Sequence, residues 1–242
     1  MSDESREAIQ RQYSHGGAEY DRVRLEQPRG RWLTDYDVDL FERMLPAASP
    51  GAKALEVGAG TGRFTIPTLE QGYQVVASDI NQAPLDQLKA KLSGSDRGSA
   101  CTIEIQSIFE LGYPDESFDL VISIHVVPRL LTWDDQHAAI KELCRVVRPG
   151  GHLLFNYRNR QSPYRLFYKG PSALPADVDR ALQDGRIETK KLRTKHILNG
   201  RLLDRLPRIF WGPLTAADRM LEERLPSRAW DVFVFGQKVS AG

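Results

Sequence analysis

Short apolar runs alternate with polar or helix-periodic segments between residues 53 and 156. Runs of this length, flanked by turn residues, indicate strands, and the segments between them indicate helices. Parallel strands need such crossover helices, because a tight turn cannot join them. The pattern therefore predicts an α/β fold with a largely parallel sheet, whose strands are AKALEV (52–57), YQVVAS (73–78), TIEIQ (102–106), FDLVISI (118–124) and GHLLFN (151–156).

The clearest helix signal follows Trp133. Thr132 is placed to cap the first turn, and Pro149 with the two glycines after it ends the pattern. Two more helices are predicted at about residues 5–20 and 35–45, and an alternating run at 230–238 predicts a closing strand. The apolar positions of the helix after Trp133 recur at i, i+3, i+4 and i+7, and they are Ile140, Leu143, Cys144 and Val147.

The pattern changes between residues 157 and 228, where six prolines break the chain into short pieces and basic residues accumulate. Prolines at this density interrupt both helices and central strands. We therefore predict a helical cap inserted outside the sheet. The chain then divides into N-terminal helices at 1–50, an α/β core at 51–157, the cap at 158–228 and the closing strand at 229–242.

The run LEVGAGTGRFT, residues 55–65, lies where the first strand ends and a helix should begin. Glycines let a backbone turn tightly and approach a ligand, and the free N–H groups of a following helix favour a nucleotide-like ligand. A nicotinamide or flavin dinucleotide is one alternative, and its G-x-G-x-x-G pattern would place the third glycine at position 63. Arg63 occupies that position, which disfavours a dinucleotide.

Asp79 ends the second predicted strand, 21 residues after Gly58. A carboxylate there can accept hydrogen bonds from both ribose hydroxyls of a dinucleotide or of another adenosine-containing ligand. It can also cap the helix that follows, and the two roles are compatible. Asp79 alone does not distinguish between these ligands.

Four motifs follow one another in order along the chain: LEVGAGTG (55–62), VVASDI (75–80), PDESFDLVIS (114–123) and LCRVVRPGGHLLF (143–155). With them the chain resembles the class I S-adenosylmethionine-dependent methyltransferases, especially the small-molecule branch that includes the ubiquinone and menaquinone biosynthesis enzymes. The resemblance implies a doubly wound, seven-stranded, mostly parallel sheet of the Rossmann-like type, with the last strand antiparallel. It also implies S-adenosylmethionine as cofactor and S-adenosylhomocysteine as product.

The resemblance assigns roles to the residues of the first two motifs. It implies that Glu56 binds the methionyl amine directly or through water, that Asp79 holds the ribose, and that Ile80 packs on the adenine. It also implies that the loop passes beneath the cofactor at Gly58, Ala59, Gly60 and Gly62.

The adenine end of the site departs from the family pattern. The family commonly has an acidic pair after the third strand, whereas this chain reads Gln106-Ser107-Ile108. We therefore expect Ser107, Ile108 and backbone groups to contact the adenine. Tyr20 is expected to reach the cofactor from the N-terminal helix, with core packing as the alternative role.

His125 follows the fourth predicted strand, at the sheet edge where the resemblance places the acceptor and the sulfonium. An imidazole there can act as a general base for an acceptor hydroxyl, or it can simply line the pocket. Both roles stay open. No histidine lies at a metal-ligand spacing, so no metal site is predicted.

Composition limits the classes of protein further. The net charge of +1 argues against a general nucleic-acid binder, so no DNA partner is expected. No apolar run approaches the roughly 20 residues of a transmembrane helix. The acidic N-terminus and the two cysteines, Cys101 and Cys144, predict a cytoplasmic protein without a disulfide framework.

Residues 186–208 carry eight Lys or Arg and two acids. A solvated face is one interpretation, and attraction of an anionic substrate, a carrier protein or a membrane surface is the other. The sequence as a whole predicts a methyltransferase for a small-molecule acceptor, which can be anionic or carrier-bound, and leaves a homodimer open. A non-catalytic cofactor-binding module, an RNA methyltransferase and an NAD(P)-dependent oxidoreductase are the alternatives.

Overall fold

Seven strands form one sheet in the computed structural model, which describes residues 26–166, 170–195 and 206–240. Their order is β3-β2-β1-β4-β5-β7-β6, and only β7 runs against its neighbours, β5 and β6. The predicted seven-stranded, mostly parallel sheet with an antiparallel last strand is therefore confirmed. The strands are β1 Lys53–Val57, β2 Gln74–Asp79, β3 Cys101–Ile105, β4 Phe118–Ser123, β5 Val147–Arg158, β6 Ile187–Lys195 and β7 Asp231–Lys238.

Helices cover both faces of this sheet, as a doubly wound fold requires. Alternate residues of one strand enter different cores: Leu55 of β1 packs in one apolar cluster and Ala54 in the other. The first cluster includes residues of α4 and α5, and the second includes residues of α1, α2 and α3. The helices are α1 Pro28–Glu42, α2 Thr65–Glu70, α3 Gln82–Leu92, α4 Trp133–Val146, α5 Pro175–Asp184 and α6 Trp211–Arg224.

The helix predicted after Trp133 is confirmed in detail. α4 begins there, and the Thr132 hydroxyl accepts a hydrogen bond from the Asp135 amide at 3.1 Å. The apolar face enters the core, with Ile140 and Leu143 fully buried. α1 begins at Pro28, seven residues earlier than predicted from position 35, and the helix predicted at 5–20 lies outside the described residues.

The prediction that residues 158–228 lie wholly outside the sheet is wrong. β6 falls within this range and pairs with β7 from Ile187, opposite Lys238, to Lys195, opposite Asp231. β6 is an edge strand, so its sequence IETKKLRTK lacks the continuous apolar run of a central strand. Because this sequence is basic rather than apolar, its pattern did not predict a strand.

Lys238 joins β7 to the end of α4. Its buried ammonium donates to the carbonyl oxygens of Cys144 at 3.0 Å and Val147 at 2.8 Å. The last carbonyls of a helix have no partner within the helix and carry partial negative charge. A lysine from the final strand therefore supplies the cap that α4 lacks in its own sequence.

Candidate active site

The glycine loop turns sharply between β1 and α2. Gly58, Gly60 and Gly62 have φ angles of 85°, 54° and 92°, a region that L side chains rarely adopt. A Cβ atom at Gly58 would lie 2.1 Å from Cγ2 of Val126, and one at Gly62 would lie 2.5 Å from Cδ1 of Leu88. Of these three glycines, only Gly60 has no atom within 4 Å of an added Cβ.

This pattern refines the expected role of the glycines. Gly58 and Gly62 are required by close packing against the protein's own side chains, whereas Gly60 borders open space. The Ala59 amide, like that of Gly58, donates to the Ser78 carbonyl at 2.8 Å, which ties the loop to β2. The loop is thus fixed on both sides before any ligand binds.

Asp79 lies at the carboxyl end of β2, directly beside this loop. Its two carboxylate oxygens accept the amides of Gly60 and Asn81, each at 3.0 Å. Burial raises the pKa of this carboxyl, while the amide hydrogen bonds act in the opposite direction. Each carboxylate oxygen has a second lone pair, so Asp79 can still accept hydrogen bonds from two neighbouring hydroxyls.

Glu56 is the second-last residue of β1, at the same edge of the sheet, and is 2% exposed. It accepts a hydrogen bond from the Thr65 hydroxyl at 2.5 Å. Burial raises the pKa of Glu56 to about 7, and the nearby Asp79 adds to the rise. A buried carboxyl of this kind suits a cationic ligand group, whose charge would favour the ionised form.

The adenine side of the site is built from the residues that follow β2 and β3. Ile80 is half-buried, Ile108 is 7% exposed, and the Gln106 amide donates to the Asp79 carbonyl at 3.1 Å. Ser107 forms a tight turn with Glu110. The end of β3 therefore lies beside Asp79, as the predicted adenine contacts require, and Tyr20 lies outside the described residues.

The carboxylates and the open space at this site fit S-adenosylmethionine. Glu56 suits its ammonium, Asp79 suits its two ribose hydroxyls, and the space beside Gly60 leaves room above the loop. No cluster of three or more side chains that could hold a metal ion is found among the described residues. None of the helices described has the length and apolar character needed to cross a membrane.

His125 follows β4 on the other side of the glycine loop, and it has an unusual backbone. Its φ angle is 64°, and its amide donates to Oδ1 of Asn156 at 2.6 Å. Nε2 lies 3.0 Å from Oδ2 of Asp37, and Nδ1 lies 3.4 Å from Nδ2 of Asn156. The side chain is 21% exposed, and burial lowers its pKa.

Asp37 is the centre of a buried ionic cluster. Its carboxylate pairs with Arg63 at 2.8 Å and Lys195 at 2.9 Å in addition to His125. Burial acts to raise the pKa of Asp37, but Lys195, the His125 hydrogen bond and Arg63 hold it well below its usual range, and Asp37 in turn raises the pKa of Lys195. We call these four residues, Asp37, Arg63, His125 and Lys195, the Asp37 cluster.

Sequence reasoning identified His125 but missed the other members of this cluster as site residues. Asp37 lies in a predicted helix whose sequence carries no motif of a functional site. Lys195 lies in the basic segment, residues 186–208, which a solvated face also explains. The position of Arg63 in the glycine loop only disfavoured a dinucleotide and did not indicate an ion pair. The partners are 26 residues or more from Asp37 along the chain, so no local spacing indicates them.

Comparison with known proteins identifies the central part of the chain. A family model described as a methyltransferase domain matches residues 55–155. Over this central part the chain is similar to methyltransferase domains. The matched region contains Arg63, Asp79 and His125, whereas Asp37 and Lys195 of the Asp37 cluster lie outside it.

The chain spans about half the length of the curated relatives that it matches. An uncharacterized methyltransferase of Mycobacterium tuberculosis is 35% identical over 125 residues, covering 52% of this chain and 46% of that protein. Malonyl-[acyl-carrier protein] O-methyltransferase of Serratia marcescens is 36% identical over 121 residues, covering 49% and 44%. The narrower ubiquinone and menaquinone branch stays a prediction.

The fold itself extends over nearly the whole chain. The magnesium protoporphyrin IX methyltransferase of Synechocystis, solved with bound S-adenosylhomocysteine, superposes with a TM-score of 0.69 at 16% identity. The match covers 96% of this chain and 99% of that one. At this identity the likeness concerns the fold, which confirms the Rossmann-like methyltransferase architecture around the domain.

Proposed function

We propose that this protein transfers the methyl group of S-adenosylmethionine to a small-molecule acceptor. The observation that carries the proposal is the joint placement of Glu56, the open space at Gly60 and Asp79 at one sheet edge. The Serratia relative is named for a malonyl group on a carrier protein and the Synechocystis structure for a porphyrin. Both names support a metabolite acceptor, free or carrier-bound.

The protein's role is to bind and orient the cofactor and the acceptor and to exclude water from them. The cofactor, when bound, supplies a methyl group already activated by a sulfonium. Glu56 would bind its ammonium, Asp79 its ribose, and Ile80, Ser107 and Ile108 its adenine. Placing two reactants in contact can be worth roughly 7–11 kcal/mol at the upper end, so methyl transfer needs little more from the protein than this placement.

The acceptor side is expected at the Asp37 cluster. Phe64, directly after Arg63, and Phe233 of β7 have ring centroids 6.3 and 6.0 Å from that of His125. Val126, the next residue, would contact any side chain at Gly58, so His125 lies next to the cofactor loop. The cytoplasm remains the expected compartment, and a homodimer stays a prediction.

Calorimetry tests cofactor binding directly. We expect S-adenosylhomocysteine to bind and NAD and NADP to show no comparable binding. Asp79→Ala should weaken the S-adenosylhomocysteine complex by roughly 1.5–3 kcal/mol, because a buried charge-assisted acceptor is lost. Asp96→Asn, an exposed carboxyl, is the matched control and should bind like the unmodified protein.

Methyl transfer is tested by incubating the protein with methyl-labelled cofactor and a cell extract. Label should enter a small molecule or a carrier-bound group, detected by mass spectrometry. Cofactor binding without transfer to any extract component would favour the non-catalytic module. Transfer to RNA would favour the nucleic-acid alternative.

A further inference from the structure

Both ring nitrogens of His125 are engaged by the protein. Asp37 is ionised, so Nε2, 3.0 Å from its carboxylate, must carry the hydrogen and donate it. The amide orientation of Asn156 is fixed because its Oδ1 accepts the His125 backbone N–H. Its NH₂ group therefore faces Nδ1, at 3.4 Å. These contacts assign the neutral Nε2–H tautomer.

This arrangement removes His125 as a general base. The only lone pair of the ring faces an amide donor, so a proton added at Nδ1 would point at another N–H group. The resulting imidazolium would also lie beside Arg63 and Lys195, both of which disfavour a positive charge there, with Asp37 alone favouring it. Asp231 acts on Lys195 from β7, and the aromatic rings of Phe64 and Phe233 complete the surroundings.

We infer that the acceptor nucleophile is a carboxylate and that the product is a methyl ester. This inference rests on the proposed methyl transfer. A nucleophile that is already unprotonated at neutral pH needs no base at the position of His125. Alcohols, phenols with a pKa of about 10, thiols with a pKa of about 8.5 and alkyl ammonium groups are all protonated there, whereas carboxylic acids with a pKa of about 4 are ionised.

The Asp37 cluster suits this chemical class. Arg63 follows the cofactor loop directly, and its guanidinium presents donors in a fork that matches a carboxylate. Lys195 adds a second cation, which pairs with the other carboxylate oxygen of Asp37. Among the four cluster residues, two permanent cations surround one carboxylate, which favours an anionic group nearby.

The step balances without a proton. The acceptor oxygen forms a bond to the methyl carbon, the carbon–sulfur bond breaks, and its electron pair remains on sulfur. An anion and a sulfonium cation become a neutral ester and a neutral thioether. Desolvation of two opposite charges by the pocket therefore favours the products, and no side chain needs to accept a hydrogen.

Alkali lability of the methylated product tests the inference. The protein is incubated with methyl-labelled S-adenosylmethionine and the small-molecule and protein fractions of a cell extract, and the products are treated with mild base. A methyl ester releases its label as volatile methanol, and we expect this result. Label that resists base, as in an ether or an N-methyl group, would overturn the carboxylate assignment and leave methyl transfer intact. Absence of any transfer would contradict the proposed function itself.

A second measurement does not depend on activity. Nitrogen-15 NMR of the intact chain should show His125 neutral, with the hydrogen on Nε2, from pH 6 to 8. A ring hydrogen on Nδ1, or a protonated ring at pH 7, would overturn the argument.

His125→Asn completes the test, because asparagine tolerates a positive φ and removes the imidazole. Its rate should fall less than tenfold with an unchanged pH profile, whereas loss of a base would cost about 10²-fold or more. Affinity for S-adenosylhomocysteine reports whether the variant has folded.

Discussion

Nε2 of His125 lies 3.0 Å from Oδ2 of Asp37, although 88 residues separate them in sequence. This contact joins α1 to the end of β4, and Arg63 and Lys195 extend it to the cofactor loop and the edge strand. Asp37 thereby becomes the residue that links these four elements through its side chain.

Asp37→Asn should therefore destabilise the protein strongly. Removal of the carboxylate charge takes from Lys195 and Arg63 the ion pairs that they form with Asp37, and breaking a buried ion pair typically costs about 3–5 kcal/mol. Asp35→Asn, an exposed acid on the same helix, should change the free energy of unfolding by less than about 0.5 kcal/mol. Urea unfolding of both variants makes the comparison, and equal small effects would remove the cluster from the account of stability.

Glu56 should release protons when S-adenosylmethionine binds at mildly acidic pH. Its pKa of about 7 leaves much of the carboxyl protonated below neutrality, and a bound ammonium would lower that pKa. Calorimetry at pH 6.5 in buffers of different ionisation enthalpy should show release of roughly half a proton or more. The release should vanish at pH 9 and in Glu56→Gln, and a release that persists in Glu56→Gln would assign the proton to another group.

The same group should shape the stability of the protein without cofactor. Because the folded pKa of Glu56 is raised, the folded state binds more protons than the unfolded state between the ordinary value of 4.5 and about 7. The contribution of Glu56 to stability is then fully present below 4.5 and is lost as pH rises to 7. Chemical unfolding of Glu56→Gln across this range should show a smaller decline than the unmodified protein, and parallel curves would contradict the raised pKa.

Gly58→Ala separates close packing from backbone strain. Its added Cβ would lie 2.1 Å from Cγ2 of Val126, whereas Gly94, with a φ of 79°, has nothing within 4 Å. Gly94→Ala should cost about 1–2 kcal/mol from the backbone alone, and Gly58→Ala should cost more. Adding Val126→Ala should recover part of the difference, as measured by thermal unfolding; no recovery would mean that the contact is relieved in another way.

The basic segment now divides into exposed and buried members. Lys190 pairs with Glu188 at the surface, whereas Arg193 pairs with Glu222, which is 2% exposed on its side chain. Lys190→Glu should change stability by less than about 0.5 kcal/mol. Arg193→Glu should cost several times more, because it places two buried carboxylates in contact, and similar unfolding curves for the two variants would show that Arg193 is solvated.

Sequence reasoning succeeded where the signal is local. The glycine loop, Asp79 and the helix from Trp133 each depend on neighbours within a few turns of the chain, so spacing alone predicted their places. β6 was not predicted, because an edge strand with Lys and Arg on it shows no apolar run. The Asp37 cluster was not predicted for a different reason: its contacts exist only after four elements that are distant in sequence have packed together.

The place of β6 at the sheet edge sets an order of assembly. In the described residues its only sheet neighbour is β7, which lies between it and β5 and comes later in the chain. During synthesis, the strands that carry Glu56 and Asp79 can pair as soon as the first half of the chain has emerged. Lys195 gains its place in the sheet only when the strand ending at Lys238 is made. A newly made chain would therefore be able to complete its cofactor half well before its acceptor half.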